Sequence, residues 1–178
     1  MQPMRSIVLG GGCFWGVEEL MRMRPGVIDT EVGYAGGKNA NPTYEFHPGH
    51  AEVVKIDYDE TVTGLDELLG YFFRIHDPTT KHRQGNDIGS SYRSIIFYAN
   101  DNERQAIEAV ISQVESSGQW QNPIVTEAEP LTVFYPAEEY HQDYLQKHPD
   151  GYTCHFERPV VKQAFKHSIS CKSSSKAK

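Results

Sequence analysis

The chain has 178 residues, of which 38% are apolar and 11% aromatic, and its formal net charge is −7. This composition is typical of a globular protein and excludes a disordered or fibrous chain. The negative charge argues against nucleic acid or an anionic membrane as the main partner. No apolar segment reaches the length of a membrane span or of a secretory signal, so we expect a cytoplasmic protein.

Hydrophobic periodicity predicts alternating strands and helices along the chain. The predicted elements are, in order, strand 5–9, helix 13–24, strand 27–34, strand 51–58, helix 63–75, strand 92–98, helix 101–116, strands 125–129 and 131–134, and helix 137–147. This irregular alternation predicts an α/β fold of the α+β kind, a two-layer sandwich on a mixed, largely antiparallel sheet with a ferredoxin-like core. We expect one catalytic domain over 1–178, with 156–178 a poorly patterned C-terminal tail.

The stretch GGGCFWG at 10–16 places Cys13 where the first strand turns into the first helix. Its glycines fit neither the dinucleotide fingerprint nor the P-loop, so phosphate binding is disfavoured. Helix N-terminal N–H groups favour a thiolate, which would lower the pKa of Cys13 and make it a nucleophile. A small buried cysteine is the alternative. Phe14 and Trp15 can wall a small apolar pocket, although core packing explains one of these rings equally well.

Other polar residues could complete a site around this cysteine. Glu52 lies between Ala51 and Val53, where partial burial would raise its pKa and make it a proton donor. Loop residues such as Tyr44 or Asp87 are, taken singly, more typical of a solvated surface. Two histidines three residues apart, at 47 and 50, flank Pro-Gly without any C-x2-C motif, so we expect no metal site.

Nine ordered motifs then carry a resemblance to a known family. They are GCFWG 12–16, GYAGG 33–37, PTY 42–44, GHAE 49–52, HDP 76–78, RQGNDIG 83–89, YRS 92–94, HQDYL 141–145 and GY 151–152. Over roughly residues 6 to 155 the chain resembles the A-type peptide-methionine sulfoxide reductases. The resemblance implies a two-layer α/β sandwich that reduces the S epimer of methionine sulfoxide, free or in proteins.

The resemblance also implies roles for matching positions. They are a nucleophile, Cys13; an acid for the sulfoxide oxygen, Glu52; two hydroxyl donors, Tyr44 and Tyr92; two walls for the substrate methyl group, Phe14 and Trp15; and a residue that binds through an ordered water, Asp87. The products would be methionine and a sulfenic acid on Cys13. A second thiol would then form a disulfide, which an external dithiol such as thioredoxin would reduce.

The recycling route is where the sequence departs from the family pattern. Many members carry a glycine-rich C-terminal segment with one or two cysteines, whereas this chain has CHFERP at 154–159. Cys154 follows Gly-Tyr-Thr, where a recycling cysteine occurs in part of the family, so we favour it over Cys171 as the disulfide partner. Cys171 is a relay or a bystander, with the bystander favoured. We expect a monomer without cofactor.

Two other functions remain open at this stage. One is a cysteine hydrolase or acyltransferase that pairs Cys13 with His50 or His141 and does not need Cys154. The other is a non-enzymatic redox sensor in which Cys13 and Cys154 form a reversible disulfide without consuming any sulfoxide.

Overall fold

The computed structural model describes residues 4–161. Its strands and helices are, in chain order, β1 Met4–Gly11, α1 Phe14–Arg22, β2 Val27–Ala35, β3 Ala51–Asp59, α2 Leu65–Ile75, β4 Arg83–Gln84, β5 Asp87–Ile88, β6 Ser94–Tyr98, α3 Asp101–Ser117, β7 Glu127–Pro130, β8 Phe134–Pro136 and α4 Tyr144–Lys147. Each predicted element before residue 137 has an observed counterpart, although β8 begins at the residue where its predicted strand ends. The polar loop before β6 contains the short β4–β5 ribbon.

Six strands form one sheet in the order β7-β6-β1-β3-β2-β8. All neighbours are antiparallel except β6 and β7, which are parallel. The segment β1-α1-β2-β3-α2-β6 is a split β-α-β-β-α-β unit, and its four strands are adjacent in the order β6-β1-β3-β2. This topology is that of a ferredoxin-like core. The predicted mixed, largely antiparallel α+β sandwich is therefore confirmed.

The main hydrophobic core lies between the sheet and its helices. Helix α1 buries residues at helical spacing, including Val17 and Met21, and α2 buries Phe72 and Phe73. These side chains cover sheet residues that include Ile56. The opposite face of the sheet carries a smaller apolar cluster, which is packed against side chains from the segment that leads into β8. Helices on one face of the sheet and a loop on the other give the two-layer architecture.

The predicted helix over 137–147 is wrong. The segment forms a 3-10 turn at Glu139–His141 and a single helical turn at Tyr144–Lys147, separated by Gln142 and by Asp143, which has φ +53°. The side-chain amide of Gln142 accepts a hydrogen bond from Val32 N and donates one to Val32 O, both at 2.9 Å. These bonds to β2 compete with helix formation, so tertiary contacts override the helical pattern.

The last described residues contain no regular element, because 152–161 form neither helix nor strand. Within residues 4–161 no helix is both long and apolar enough to cross a membrane. The prediction for Cys171, and most of the predicted tail, lie outside the described residues.

Candidate active site

Cys13 occupies the N-cap of α1, between the end of β1 and the first helical turn. The preceding Gly12 has φ +103°, a left-handed conformation that glycine adopts without strain and that turns the chain into the helix. Only 8% of Cys13 is exposed. The first helical N–H group, that of Phe14, donates to Glu52 Oε2 at 3.1 Å. A carboxyl group from β3 thus satisfies a free helix N–H group beside the thiol.

Glu52 is buried, with 2% of its surface exposed. Its pKa is raised to about 8, mainly by burial; the hydrogen bond from Phe14 N acts in the opposite direction, and the nearby Asp87 charge contributes to the increase. Burial disfavours the charged carboxylate, so at neutral pH the group is mostly a carboxylic acid that can donate a proton. The shift is in the direction expected from its position in the sequence.

The expectation of a lowered Cys13 pKa is wrong. The pKa of this thiol is raised to about 12, first by burial and then by the Glu52 charge, and the backbone N–H groups of Trp15 and Gly16 offset the increase only in part. The helix N-terminus is therefore present, but it is buried, and loss of hydration outweighs its favourable field. In the free protein the Cys13 sulfur is held as a thiol.

The two aromatic residues after Cys13 differ in role. Phe14 belongs to the hydrophobic core, with its ring 5.8 Å from that of Tyr34 and 5.1 Å from that of His141. Trp15 is partly buried and stacks on Tyr144 with ring centroids 3.7 Å apart. Its Nε1 donates to His141 Nδ1 at 3.0 Å. Core packing thus fixes the Phe14 ring, while stacking and a hydrogen bond fix the Trp15 ring.

Tyr44 and Tyr92 come from two different loops and lie near the same carboxyl. Burial is the main cause that raises the pKa of each phenol, and the Glu52 charge is the second cause for both. Both hydroxyls are therefore protonated donors at neutral pH, close to Glu52. Asp87 also lies nearby, since its charge raises the pKa of both Cys13 and Glu52. The structure thus brings together the predicted polar residues.

Cys154 lies close to this group, and both cysteines of the described chain are free thiols. Its Sγ is 3.7 Å from Asp87 Oδ2, an oxygen that also accepts a hydrogen bond from Tyr152 Oη at 3.2 Å. Thr153 and His155, on either side of Cys154, pack against Gly16 in the first turn of α1. The packing is so close that a Cβ atom at Gly16 would collide with His155 Nδ1 and Thr153 Oγ1. The absence of a side chain at Gly16 therefore lets the Cys154 segment approach α1.

Glu138 is a residue that the sequence did not single out. Its two oxygens accept hydrogen bonds from Tyr34 Oη at 3.0 Å and from Tyr44 N at 3.1 Å. It thereby fixes the backbone of the loop that carries one hydroxyl donor. The partners are about a hundred residues apart in the chain, so no local sequence signal could have revealed the pairing.

The histidines needed by a cysteine hydrolase are engaged elsewhere. His50 uses both ring nitrogens, accepting from Gly37 N at 3.0 Å and bonding Asn39 O at 2.9 Å. His141 Nδ1 accepts the Trp15 hydrogen bond, which leaves its Nε2 as the protonated nitrogen of the neutral ring. Neither ring is available to take a proton from Cys13. Across residues 4–161, no group of three or more His, Cys, Asp or Glu side chains is arranged to hold a metal ion.

The chain is similar to known proteins in both sequence and structure. Residues 5–173 match the family described as Peptide methionine sulfoxide reductase. A Nocardia farcinica protein named Peptide methionine sulfoxide reductase MsrA is 55% identical over 159 residues, covering 89% of this chain and 94% of that protein. Reduced Mxr1 from Saccharomyces cerevisiae is similar in structure, with a TM-score of 0.81 and 39% identity over 88% of this chain and 93% of that chain. Mxr1 in complex with Trx2 gives a TM-score of 0.59 and 30% identity, over 88% and 91%.

Proposed function

This chain belongs to the peptide methionine sulfoxide reductase family, and from that membership we propose how its residues perform the reaction. It is an oxidoreductase that reduces methionine sulfoxide and serves protein repair. The proposal adds three points: selectivity for the S epimer, roles for individual residues, and a recycling disulfide. We further propose that 1–178 acts as one catalytic domain. The monomeric state and the cytoplasmic setting stay predictions.

In the proposed reductase step, the Cys13 sulfur attacks the sulfoxide sulfur while Glu52 gives its proton to the sulfoxide oxygen. The thiol proton of Cys13 replaces the one that Glu52 has lost. A bond forms between the two sulfurs as the sulfur–oxygen bond of the substrate breaks, and the protonated oxygen leaves as hydroxide. That oxygen then adds to the Cys13 sulfur and the bond between the two sulfurs breaks, which releases methionine and leaves a sulfenic acid on Cys13. The substrate sulfur is reduced by two electrons and the Cys13 sulfur is oxidised by two, so atoms and electrons balance.

The arrangement of Glu52 carries this proposal. A sulfoxide oxygen leaves sulfur only when it is protonated, and at neutral pH a solvated glutamate is almost entirely ionised. Burial keeps Glu52 mostly protonated, and its hydrogen bond from Phe14 N holds it at the helix end that begins with Cys13. The protonated hydroxyls of Tyr44 and Tyr92 are proposed donors to the same oxygen, with Asp87 binding it through an ordered water.

We propose that Phe14 and Trp15 hold the substrate methyl group. Their rings are held in place by Tyr34 and Tyr144, respectively, so both residues are fixed in position before a substrate binds. A preformed apolar wall on one side and oxygen-binding groups on the other would distinguish the two epimers at sulfur. This asymmetry supports selectivity for one epimer.

In the proposed recycling step, the thiol of Cys154 attacks the sulfenic acid on Cys13, which gives a disulfide and water. Support comes from the packing of the Cys154 segment against Gly16, one turn after Cys13. An external dithiol then reduces the disulfide, and the cycle as proposed needs no bound cofactor. We propose thioredoxin as that dithiol, since the similar protein Mxr1 has been solved in complex with Trx2.

The experiment uses the separated epimers of a methionine sulfoxide peptide. Without reductant, the wild-type protein should release one methionine per molecule from the S epimer only and then carry a Cys13–Cys154 disulfide. Cys13→Ser should release none, whereas Cys154→Ser should release one but not turn over with thioredoxin. Turnover of Cys154→Ser with thioredoxin at the wild-type rate would refute the recycling step. A reversible disulfide without methionine release would identify a redox sensor instead.

A further inference from the structure

The Cys154 thiol lies between two groups that can accept its proton. One is the Asp87 carboxylate, 3.7 Å from Sγ, and the other is Nδ1 of His155, the next residue in the chain, at 3.8 Å. The proposed recycling step requires this thiol to lose a proton as it attacks, because the thiolate is the nucleophilic form. Burial and then the Asp87 charge raise the pKa of Cys154, so it does not ionise readily by itself.

The hydrogen bonds of His155 fix which ring nitrogen carries the proton. Its Nε2 is 2.6 Å from the carbonyl oxygen of Gly11. A carbonyl oxygen can only accept, so Nε2 must carry the hydrogen. The ring is buried, and burial is the main cause that lowers the pKa of His155, which keeps the imidazole neutral at pH 7. Nδ1 of the neutral ring therefore has a free lone pair, and this is the nitrogen that faces Cys154.

We propose that His155 is the general base of the recycling step, its Nδ1 taking the proton of Cys154 as that sulfur attacks the sulfenic acid on Cys13. The S–S bond forms and the S–O bond of the sulfenic acid breaks. The hydroxide that leaves takes up a proton to become water, and the imidazolium later returns its proton to solvent. One thiol and one sulfenic acid thus give one disulfide and one water. This inference rests on the proposed role of Cys154.

The charges around the ring suit this role. Asp87 raises the pKa of His155, whereas Arg158 lowers it, and His76 is the other titratable ring close enough to interact. The Asp87 carboxylate would therefore stabilise the imidazolium that forms during the step. Asp87 already accepts a hydrogen bond from the Tyr152 hydroxyl, and its negative charge disfavours a thiolate at Cys154. The same negative charge is suited to stabilise the positively charged ring of His155.

His155 also connects the two cysteines physically. Its Nε2–H bonds the backbone at Gly11, two residues before Cys13, while its own backbone is continuous with Cys154. The ring packs against Gly12 and Gly16, which flank the nucleophile. The ring is therefore held to the backbone before Cys13 and, through the chain, to Cys154, so the base is positioned before the attack begins.

The test is His155→Gln, because a glutamine amide can still donate to the Gly11 carbonyl but has no basic nitrogen. One equivalent of peptide S-sulfoxide is added without reductant, and methionine release and disulfide formation are followed separately by acid quench and mass spectrometry. We expect methionine release at the wild-type rate and disulfide formation about 100-fold slower at pH 7. Thr153→Val is the matched control. It removes the hydroxyl that accepts from His155 N at 3.1 Å but leaves the imidazole.

A pH profile separates a base from a structural role. With the neutral imidazole present, disulfide formation should vary little between pH 7 and 9. In His155→Gln it should rise about tenfold per pH unit, because only the ionised thiol then attacks. A variant with a wild-type rate and a flat profile refutes the proposal. The proposal is also refuted if His155→Gln slows methionine release in a Cys154→Ser background as much as it slows disulfide formation, because His155 would then act on the turn that carries Cys13.

The variants distinguish an error in the role of Cys154 from an error in the role of His155. If Cys154 is not the disulfide partner, Cys154→Ser itself still forms the protein disulfide or turns over with thioredoxin. If Cys154 is the partner but His155 is not the base, Cys154→Ser is blocked while His155→Gln behaves as wild type. If the His155→Gln variant does not fold, His155→Ala with added imidazole is used in its place. Recovery of the rate with imidazole supports the proposal, and no recovery despite a full methionine burst refutes it.

Discussion

Replacing Glu52 by glutamine tests the chemical step at the group on which it depends. The amide oxygen can still accept the hydrogen bond that Phe14 N now donates to Oε2 at 3.1 Å, so the start of α1 is preserved. With a pKa of about 8, about 90% of Glu52 is acid at pH 7, whereas a glutamate with the ordinary value of 4.5 is about 0.3% acid. Burial therefore increases the population of the proton donor about 300-fold, and glutamine removes the donor altogether.

The assay is a single turnover at pH 7 in the Cys154→Ser background, with S-sulfoxide peptide in excess and methionine as the readout. General acid catalysis is commonly worth about 100- to 10,000-fold, so we expect Glu52→Gln to slow methionine release at least 100-fold. Glu18→Gln is the matched control. Glu18 is also buried, with a pKa raised to about 7, but it pairs with Arg22 rather than with the site. A Glu52→Gln rate within threefold of wild type from pH 6 to 8 would refute the acid role.

Close packing at Gly16, the hydrogen bonds of Gln142 and the raised pKa of Glu52 each give a further prediction. Gly16→Ala should slow disulfide formation about 10- to 100-fold in quenched single turnovers by displacing the Cys154 segment, whereas Gly70→Ala, which meets open space, should not. Gln142→Ala should lower the free energy of unfolding in urea by about 2 kcal/mol, since its amide bonds the backbone of β2. The folded protein holds the Glu52 proton until about pH 8 and the unfolded chain only to about 4.5. The stability that this group contributes is therefore complete below pH 4.5, and between pH 5.5 and 7.5 wild type should lose about 1 kcal/mol per pH unit relative to Glu52→Gln.

The ferredoxin-like core could be predicted because its elements carry their own signals. Helix α2 has an apolar stripe with buried Leu68 and Phe72 on one face, and Gly64 directly precedes its first residue. Buried and partly exposed residues alternate over only part of strand β3, but its β-branched residues also predict a strand. The helix over 137–147 failed because Gln142 bonds strand β2, more than a hundred residues away. Local periodicity contains no information about such a partner.

In the site, too, some features could be inferred from neighbouring residues, and others depend on residues far apart in the chain. The order strand, Cys13, helix could be inferred from glycines and periodicity, and Glu52 from its apolar neighbours. The direction of the Cys13 pKa shift could not be inferred from the sequence, because it depends on how much of the helix N-terminus other elements cover. His155 did have a local signal, a histidine directly after Cys154. What the sequence could not show is its bond to Gly11, which fixes the free lone pair on the nitrogen that faces the thiol.

Burial of Cys13 and Glu52 has two effects that belong together. The same loss of hydration that raises the pKa of Glu52 and supplies an acid also raises the pKa of Cys13 and keeps it a thiol. A thiol reacts with peroxides and alkylating agents far more slowly than a thiolate does, so the free site is protected from the oxidants that create its substrate. On the proposed mechanism a bound sulfoxide changes this balance, because its oxygen takes the Glu52 proton as the attack proceeds and leaves a carboxylate to receive that of Cys13. On the proposed mechanism, the nucleophile is therefore generated only when the group to be reduced is present, and the buried carboxyl links substrate binding to thiol activation.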